Sequence, residues 1–192
     1  LRENGLPRIL KINTKNRAHE YIKFDEPCYD VSLAGNHNPK VDYFCFAYSS
    51  LNKPETVYKE SLVSGRRSVI WKSKIKCETK GLKVERLSLK SRDNTKVPAS
   101  LVYKDNGTPL HKKPVLFYGY GSYGHIIDAN FRSSIVPLLE ENFIFVLAHI
   151  RGGSEMGKHW YENGRMHKKK NTFYDFIDVT QGCLKKGFGD KD

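Results

Sequence analysis

The sequence lacks any apolar run close to the ~20 residues that a membrane-spanning helix requires, so we expect no membrane partner. It also lacks a leading methionine and the charged-then-apolar segment of a secretory signal. The chain opens on LRENGLPRIL, which has the character of an internal stretch of sequence. We therefore expect it to be a segment of a longer protein.

Cysteine is scarce and widely spaced. Cys28, Cys45, Cys77 and Cys183 form no CxxC pair, and the seven histidines include no HExxH pair. Zinc and redox motifs are thus unsupported, and we expect no metal and no other cofactor. Four cysteines could form two disulfides in a secreted protein. Their sparse use without a signal segment favours reduced thiols and a cytoplasmic location.

Acidic residues are too few to balance the basic ones, and the formal net charge is +12. A basic balance can indicate a nucleic-acid, membrane or acidic partner. Here the lysines are spread along the chain, and the densest run, MHKKKN at 166–171, holds only three in succession. A nucleic-acid footprint would cluster charge on one element with interleaved aromatic residues. We interpret the charge as a solvated basic surface and expect no nucleic-acid partner.

The pattern of the chain changes near residues 75–85. Residues 1 to about 77 hold short mixed and aromatic runs such as DYFCFAYSS, which are typical of β structure in a sandwich, barrel or propeller. The stretch 84–103 then predicts a hairpin, and PVLFYGYG and FIFVLAHI predict two strands. Two helical segments alternate with these strands, the first with Pro137 near its start. This order predicts an α/β sheet.

Two of these elements carry finer predictions. The continuous apolar run PVLFYGYG is typical of a strand buried on both faces. The last helix has a plausible cap at Asn171 and a stop at Gly187. It carries apolar residues at Phe173, Phe176, Ile177 and Leu184, which give the segment an apolar face typical of a helix.

The stretch FYGYGSYG, residues 117–124, carries Ser122 between glycines. A nucleophile elbow needs Gly-x-Ser-x-Gly, but Tyr120 occupies the place of the leading glycine. Ser154 fails in the opposite sense, because Met156 stands where the trailing glycine should be. GYGSYG also matches GxGxxG, yet no helix opens directly after it and no Gly-Lys-Ser/Thr follows. Neither a nucleophile nor a phosphate loop is supported here.

The remaining candidates are a histidine and three phenols. His149 lies inside an apolar strand, where a hydrogen-bonded core histidine is the default interpretation. Sites collect at strand ends in open α/β sheets. A glycine-rich loop there with Tyr118, Tyr120 and Tyr123 could donate hydrogen bonds to a developing oxyanion, or these tyrosines could simply pack. The residues themselves leave both alternatives open.

Longer motifs resemble a known family. PVLFYGYGSYG, then ANF, then FVLAHIRGGSEMGKHWYENGRMHKKKNTFYDFI are similar to the prolyl oligopeptidase family of serine peptidases (peptidase family S9), and most of all to its oligopeptidase B branch. The resemblance covers nearly the whole chain. It implies an incomplete fold, an α/β-hydrolase segment with a partial sheet and helices preceded by a β-propeller remnant. Residues 1–78 would end the propeller, and 79–192 would begin the catalytic domain.

The resemblance also implies roles for single residues. The chain would be part of a serine-type endopeptidase that acts on peptide substrates and cleaves after Arg or Lys. Tyr120 would donate to the oxyanion of the tetrahedral intermediate. Asp128 and Asn130 stand where the branch has an acidic pair for a basic substrate side chain, and Tyr123 would join them in binding substrate. Asn130 stands in place of the second acidic residue of this pair, so the negative charge there is lower. Ser154 stands in place of the third glycine of the family's RGGGE.

The family's nucleophile elbow follows the helix that NTFYDFI begins, and its aspartate and histidine come later still. None of the three triad residues is therefore expected in the chain, which we predict to be inactive alone. The alternative is a non-catalytic relative that acts through binding or partner interaction. The oligomeric state is left open by the sequence.

Overall fold

A computed structural model describes residues 1–189. The chain begins with two small antiparallel pairs, β1 (Arg2–Glu3) with β2 (Leu6–Pro7) and β3 (Leu10–Ile12) with β4 (His19–Tyr21). Gly5 closes the first pair with a φ of +80°, a conformation that glycine adopts at no steric cost.

The first large sheet is a four-stranded antiparallel meander. Its strands pair in chain order and are β5 (Asp30–Leu33), β6 (Tyr43–Ser50), β7 (Lys53–Ser61) and β8 (Arg67–Lys72). Aromatic residues form its core, with Phe46 fully buried and stacked against Phe44 and Tyr58. All six residues of β8 are exposed. The β-rich first part is thus as predicted.

The second sheet is mixed, with strand order β11-β12-β10-β9. Its strands are β9 (Leu82–Lys90), β10 (Lys96–Lys104), β11 (Val115–Tyr118) and β12 (Ile144–Ala148). The predicted hairpin is the antiparallel pair β9–β10, and β11 runs parallel to β12. The connection 73–81 joins the two sheets, and the division into two domains near residue 78 stays a prediction.

The two apolar runs differ in burial. Every residue of β12 is buried, because this strand lies between two others. The prediction that the PVLFYGYG strand is buried on both faces is wrong. β11 is at the sheet edge and alternates, and its Leu116 and Tyr118 are about 40% exposed. One face of this strand packs inward, and the other is uncovered by the described residues.

Three α-helices accompany this sheet. α1 (Val136–Glu140) follows a 3-10 turn at Ser133–Ile135, and Pro137 lies in its first turn as predicted, where its missing N–H breaks no helical bond. α2 (Lys158–Glu162) and a 3-10 turn at Met166–Lys168 precede α3 (Lys170–Lys185).

The details of α3 correct two predictions. Asn171 is not its cap, because the helix begins one residue earlier and the Asn171 amide donates to the Asn163 carbonyl oxygen at 2.9 Å. The predicted apolar face is wrong in part, since Phe173 and Ile177 are exposed, whereas Phe176 packs against the core. The buried stripe consists of Thr172, Asp175, Val179 and Cys183.

A close approach explains this orientation of α3. A Cβ atom at Gly182 would lie 3.1 Å from a methyl carbon of Leu89, so the helix packs on β9 through small and polar residues. The helix ends at Lys185, and Gly187 follows with a φ of +84°, as the predicted stop signal requires.

Alternate residues of the mixed sheet face two hydrophobic clusters. Leu101 and Val146 pack with Val179 and Cys183 of α3 on one face, whereas Val102 and Leu147 pack with Leu139 of α1 on the other. Side chains alternate across a strand, so the two helices cover opposite faces. The second cluster also takes Cys28 and Leu51 from the first half of the chain, which ties the two sheets into one packed body.

Candidate functional site

The glycine-rich loop leaves the end of β11 and turns where no side chain would fit. Gly121 has a φ of +58°. A Cβ atom there would lie 2.5 Å from the Thr172 methyl and 2.7 Å from Cγ1 of Ile150. Contacts this short are not tolerated between real Cβ atoms and their neighbours, so the position requires glycine for its conformation and for its space. The loop is thereby pressed against the start of α3.

Hydrogen bonds to Gly152 and Lys169 hold the loop in place. The Gly124 N–H donates to the Gly152 carbonyl oxygen at 2.9 Å. The Lys169 ammonium donates to the Gly121 carbonyl oxygen at 2.6 Å and to Oγ of Ser122 at 2.7 Å. Burial lowers the pKa of Lys169. Ser122, the serine that stands out in the sequence, is thus the partner of a lysine.

Tyr120 projects from this loop and is 45% exposed. Its ring meets the ring of His125 edge-on, with 5.6 Å between the centroids. Together with Tyr118 and Tyr123 it lines an open cleft of about 450 Å³. A phenol held on a rigid loop beside an open cleft can donate a hydrogen bond to a bound molecule.

The other residues predicted to bind substrate lie apart from one another. Tyr123 is 88% exposed and has a φ of +55°. Asp128 is bound by Arg2, whose Nη2 lies 2.5 Å from the carboxylate. Asn130 lines a second cleft of about 620 Å³ with Asp30 and other residues near β5 and α1. The structure therefore places Tyr120 and Tyr123 at one cleft and Asn130 at another.

A polar group is buried behind the site, in the mixed sheet. Nε2 of His149 lies 2.8 Å from Oγ of Ser100, which also accepts from Arg86 at 3.1 Å. Burial, with the charges of Arg86 and Arg2, lowers the pKa of His149 to about 3. This is the hydrogen-bonded core histidine that the sequence predicts. Ser100 and His149 are both buried.

Glu155 supports the segment that follows the loop. Its Oε1 accepts from the Ile127 N–H at 3.1 Å, and the side chain is buried. Burial raises the pKa of this carboxyl. The sequence analysis did not assign a role to Glu155. Its position one residue after Ser154, in a turn that follows a buried strand, was the available signal.

Arg151 follows β12 and ties three segments together. Its guanidinium binds the Asp175 carboxylate at 2.8 and 2.6 Å and Asp93 at 2.6 Å. Burial acts to raise the pKa of Asp93, but the hydrogen bonds from Arg151 and Thr95 and the charge of Arg151 together outweigh it and lower that pKa to about 2. The strand end beside the loop is thus joined to α3 and to the β9–β10 turn. No role for Arg151 was predicted from the sequence beyond its place in RGG.

No group of three or more His, Cys, Asp or Glu side chains among residues 1–189 could hold a metal ion. No helix in this part of the chain is long and apolar enough to cross a membrane.

Comparisons with known proteins agree on one family. Residues 129–192 match the family model described as "Prolyl oligopeptidase family". The chain is 37% identical over its whole length to a dipeptidyl aminopeptidase BI from Pseudoxanthomonas mexicana, and 34% identical over 97% of its length to a protease 2 from Moraxella lacunata. It spans 27% of the length of each of these relatives.

A solved structure gives the same answer for the fold. Oligopeptidase B from Trypanosoma brucei, solved in a closed form with covalently bound antipain, superposes with a TM-score of 0.85 and 32% identity. The match covers 98% of this chain and 28% of that one. The chain is therefore similar in fold to a segment of that peptidase, and it belongs to the prolyl oligopeptidase family.

Proposed function

We propose that the chain is part of a serine-type oligopeptidase that cleaves peptides after Arg or Lys. Residues 1–78 form the end of a β-propeller in this proposal, and residues 79–192 form the start of an α/β-hydrolase domain. The observation that carries the proposal is the position of Tyr120 at the end of β11, half exposed beside an open cleft. The family to which the chain belongs supports the reaction class.

Tyr120 acts as a donor to the oxyanion of the tetrahedral intermediate. Such donors work because they are held in place before charge develops, so no reorganisation is needed during the reaction. The close contacts beneath Gly121 and the two bonds from Lys169 supply that rigidity. Loss of one oxyanion donor typically lowers turnover by about 10²–10³.

Asp128, Asn130 and Tyr123 are the proposed substrate-binding residues. Asp128 offers a partly exposed carboxylate for a basic side chain, but Arg2 occupies it, so a substrate guanidinium has to compete with Arg2. Asn130 adds no charge, and we expect a weaker preference for two successive basic residues than an acidic pair would give. Peptides are the partners in this proposal. The unpaired cysteines favour a reducing compartment such as the cytoplasm.

The test uses the full-length protein that contains this chain and a chromogenic peptide ending in Arg or Lys. Hydrolysis that an active-site serine reagent abolishes is the expected result. Tyr120→Phe should then lower kcat by about 10²–10³ and change KM little, because the hydroxyl acts in the transition state. Tyr118→Phe, in the same cleft, is the matched control and should stay near the parent rate.

Two outcomes would overturn parts of the proposal. An unchanged kcat in Tyr120→Phe would remove the oxyanion role while leaving the peptidase assignment. No hydrolysis by the parent protein would instead favour a non-catalytic member of the family.

A further inference from the structure

Lys169 lies where the 3-10 turn at Met166–Lys168 meets α3, and its side chain reaches away from the solvent. Its neighbours in the basic run differ from it. Lys168 and Lys170 are exposed, whereas Lys169 is partly buried. The run therefore combines a solvated surface with one lysine that points into the molecule.

The two acceptors of Lys169 are on the glycine-rich loop. Nζ donates to the Gly121 carbonyl oxygen at 2.6 Å and to Oγ of Ser122 at 2.7 Å. Gly121 directly follows Tyr120 in the chain. Hydrogen bonds from a charged donor are about twice as strong as neutral ones, so Lys169 firmly restrains the Gly121–Ser122 peptide unit, which begins one residue after Tyr120.

Other contacts also restrain the position of the glycine-rich loop. The Thr172 hydroxyl donates to the Gly164 carbonyl oxygen at 3.1 Å and lies 3.5 Å from the Gly121 oxygen. Packing beneath Gly121 prevents the loop from moving inward. Lys169 supplies the complementary restraint, because its two bonds oppose movement of Gly121 and Ser122 away from α3.

We propose that Lys169 is a positioning residue that holds Tyr120 in its donating position by clamping Gly121 and Ser122. The proposal rests on the proposed function of Tyr120. Lys169 does not touch substrate and acts only through the loop. Misplacement of a catalytic group by about 1 Å can cost about 100-fold in rate, which sets the scale of the effect.

The experiment compares four variants of the full-length protein: Lys169→Met, Lys170→Met, Tyr120→Phe and the double variant Lys169→Met/Tyr120→Phe. Lys169→Met should lower kcat by about 10–100-fold with little change in KM. Lys170→Met removes the same charge one residue away and should retain the parent rate. The double variant should be no slower than Tyr120→Phe alone, because the lysine acts through the phenol.

A second measurement separates this proposal from the peptidase assignment. Amide hydrogen exchange of the peptide that contains residues 119–124 should speed up in Lys169→Met and stay unchanged in Lys170→Met, whether or not the protein hydrolyses peptides. Unchanged exchange in Lys169→Met would overturn the clamp. Additive losses in the double variant would overturn its action through Tyr120. An inactive parent with faster loop exchange would retain the clamp and refute the proposed reaction and, with it, the catalytic purpose of the clamp.

Discussion

At the scale of single residues, His149 shows how burial decides the behaviour of a titratable group. Its ring is 2% exposed and is bonded to Ser100, and Nδ1 has no hydrogen-bond partner among residues 1–189. Protonation would place a second positive charge near Arg86. The pKa of about 3 means that the folded protein keeps this histidine neutral at any pH near neutrality.

This burial predicts a loss of stability in acid. The unfolded chain protonates His149 near pH 6.5, whereas the folded chain does so only near pH 3. The stabilising contribution is therefore fully present above pH 6.5 and is lost as the pH falls from 6.5 towards 3. At pH 5 the loss is about 2 kcal/mol.

Urea unfolding of the full-length protein between pH 4 and 8 measures this effect. His149→Gln should flatten the fall in unfolding free energy below pH 6.5, while His125→Gln, at an exposed position, should leave the fall unchanged. Identical pH profiles for the parent and His149→Gln would contradict the assignment.

At the scale of elements, the ion pair between Arg151 and Asp175 joins the end of β12 to α3. Asp175 is fully buried and accepts from the Arg151 backbone N–H as well as from its guanidinium. Removal of one partner from a buried pair leaves the other charge without compensation. This ion pair therefore helps to hold α3 on the sheet, where Phe173 and Ile177 of the predicted apolar face are exposed.

Asp175→Asn should therefore lower the free energy of unfolding by about 3–5 kcal/mol. Glu162→Gln disrupts the exposed pair between Lys158 and Glu162 and should cost less than about 1 kcal/mol, so it serves as the control. Thermal or urea denaturation of both variants gives the comparison. Equal losses would show that burial of Asp175 does not set its importance.

At the scale of the whole molecule, the described residues leave apolar surface uncovered. Val69, Ile70 and Trp71 of β8 are each at least 50% exposed, and Phe173 of α3 is 59% exposed. Patches of this kind mark contact surfaces or cause aggregation. The chain spans 27% of the length of the two bacterial relatives named above.

The 192-residue chain expressed alone should therefore aggregate and should not hydrolyse peptides. Exposed strand edges and apolar faces cause the first effect. The second is expected because the serine–histidine hydrogen bond seen among the described residues, Ser100–His149, is buried. Size-exclusion chromatography, calorimetry and a peptidase assay check this expectation. A soluble monomer with a sharp cooperative melt would contradict the first part, and serine-reagent-sensitive hydrolysis the second.

The sequence by itself determined the β9–β10 hairpin, the β11 and β12 strands, the helices α1 and α3 and the family, whereas the short helix α2 was not predicted. The predicted features depend on local periodicity, on turn residues and on long motifs, all of which are written along the chain. Local pattern failed for the burial of β11 and α3. β11 is an edge strand, and its neighbours in space cannot be read from local sequence. α3 buries Asp175, and the ion pair of this residue with Arg151 cannot be read from local sequence either.

Only the tertiary structure decided which residues of the loop do what. In the folded chain Lys169 donates hydrogen bonds to Gly121 and Ser122. Tyr120 lies beside an open cleft, and Asp128 forms an ion pair with Arg2. These partners are 47, 48 and 126 positions apart in the chain. Contacts at such separations follow from the packing of the sheet and α3, so the site came together only once the chain had folded.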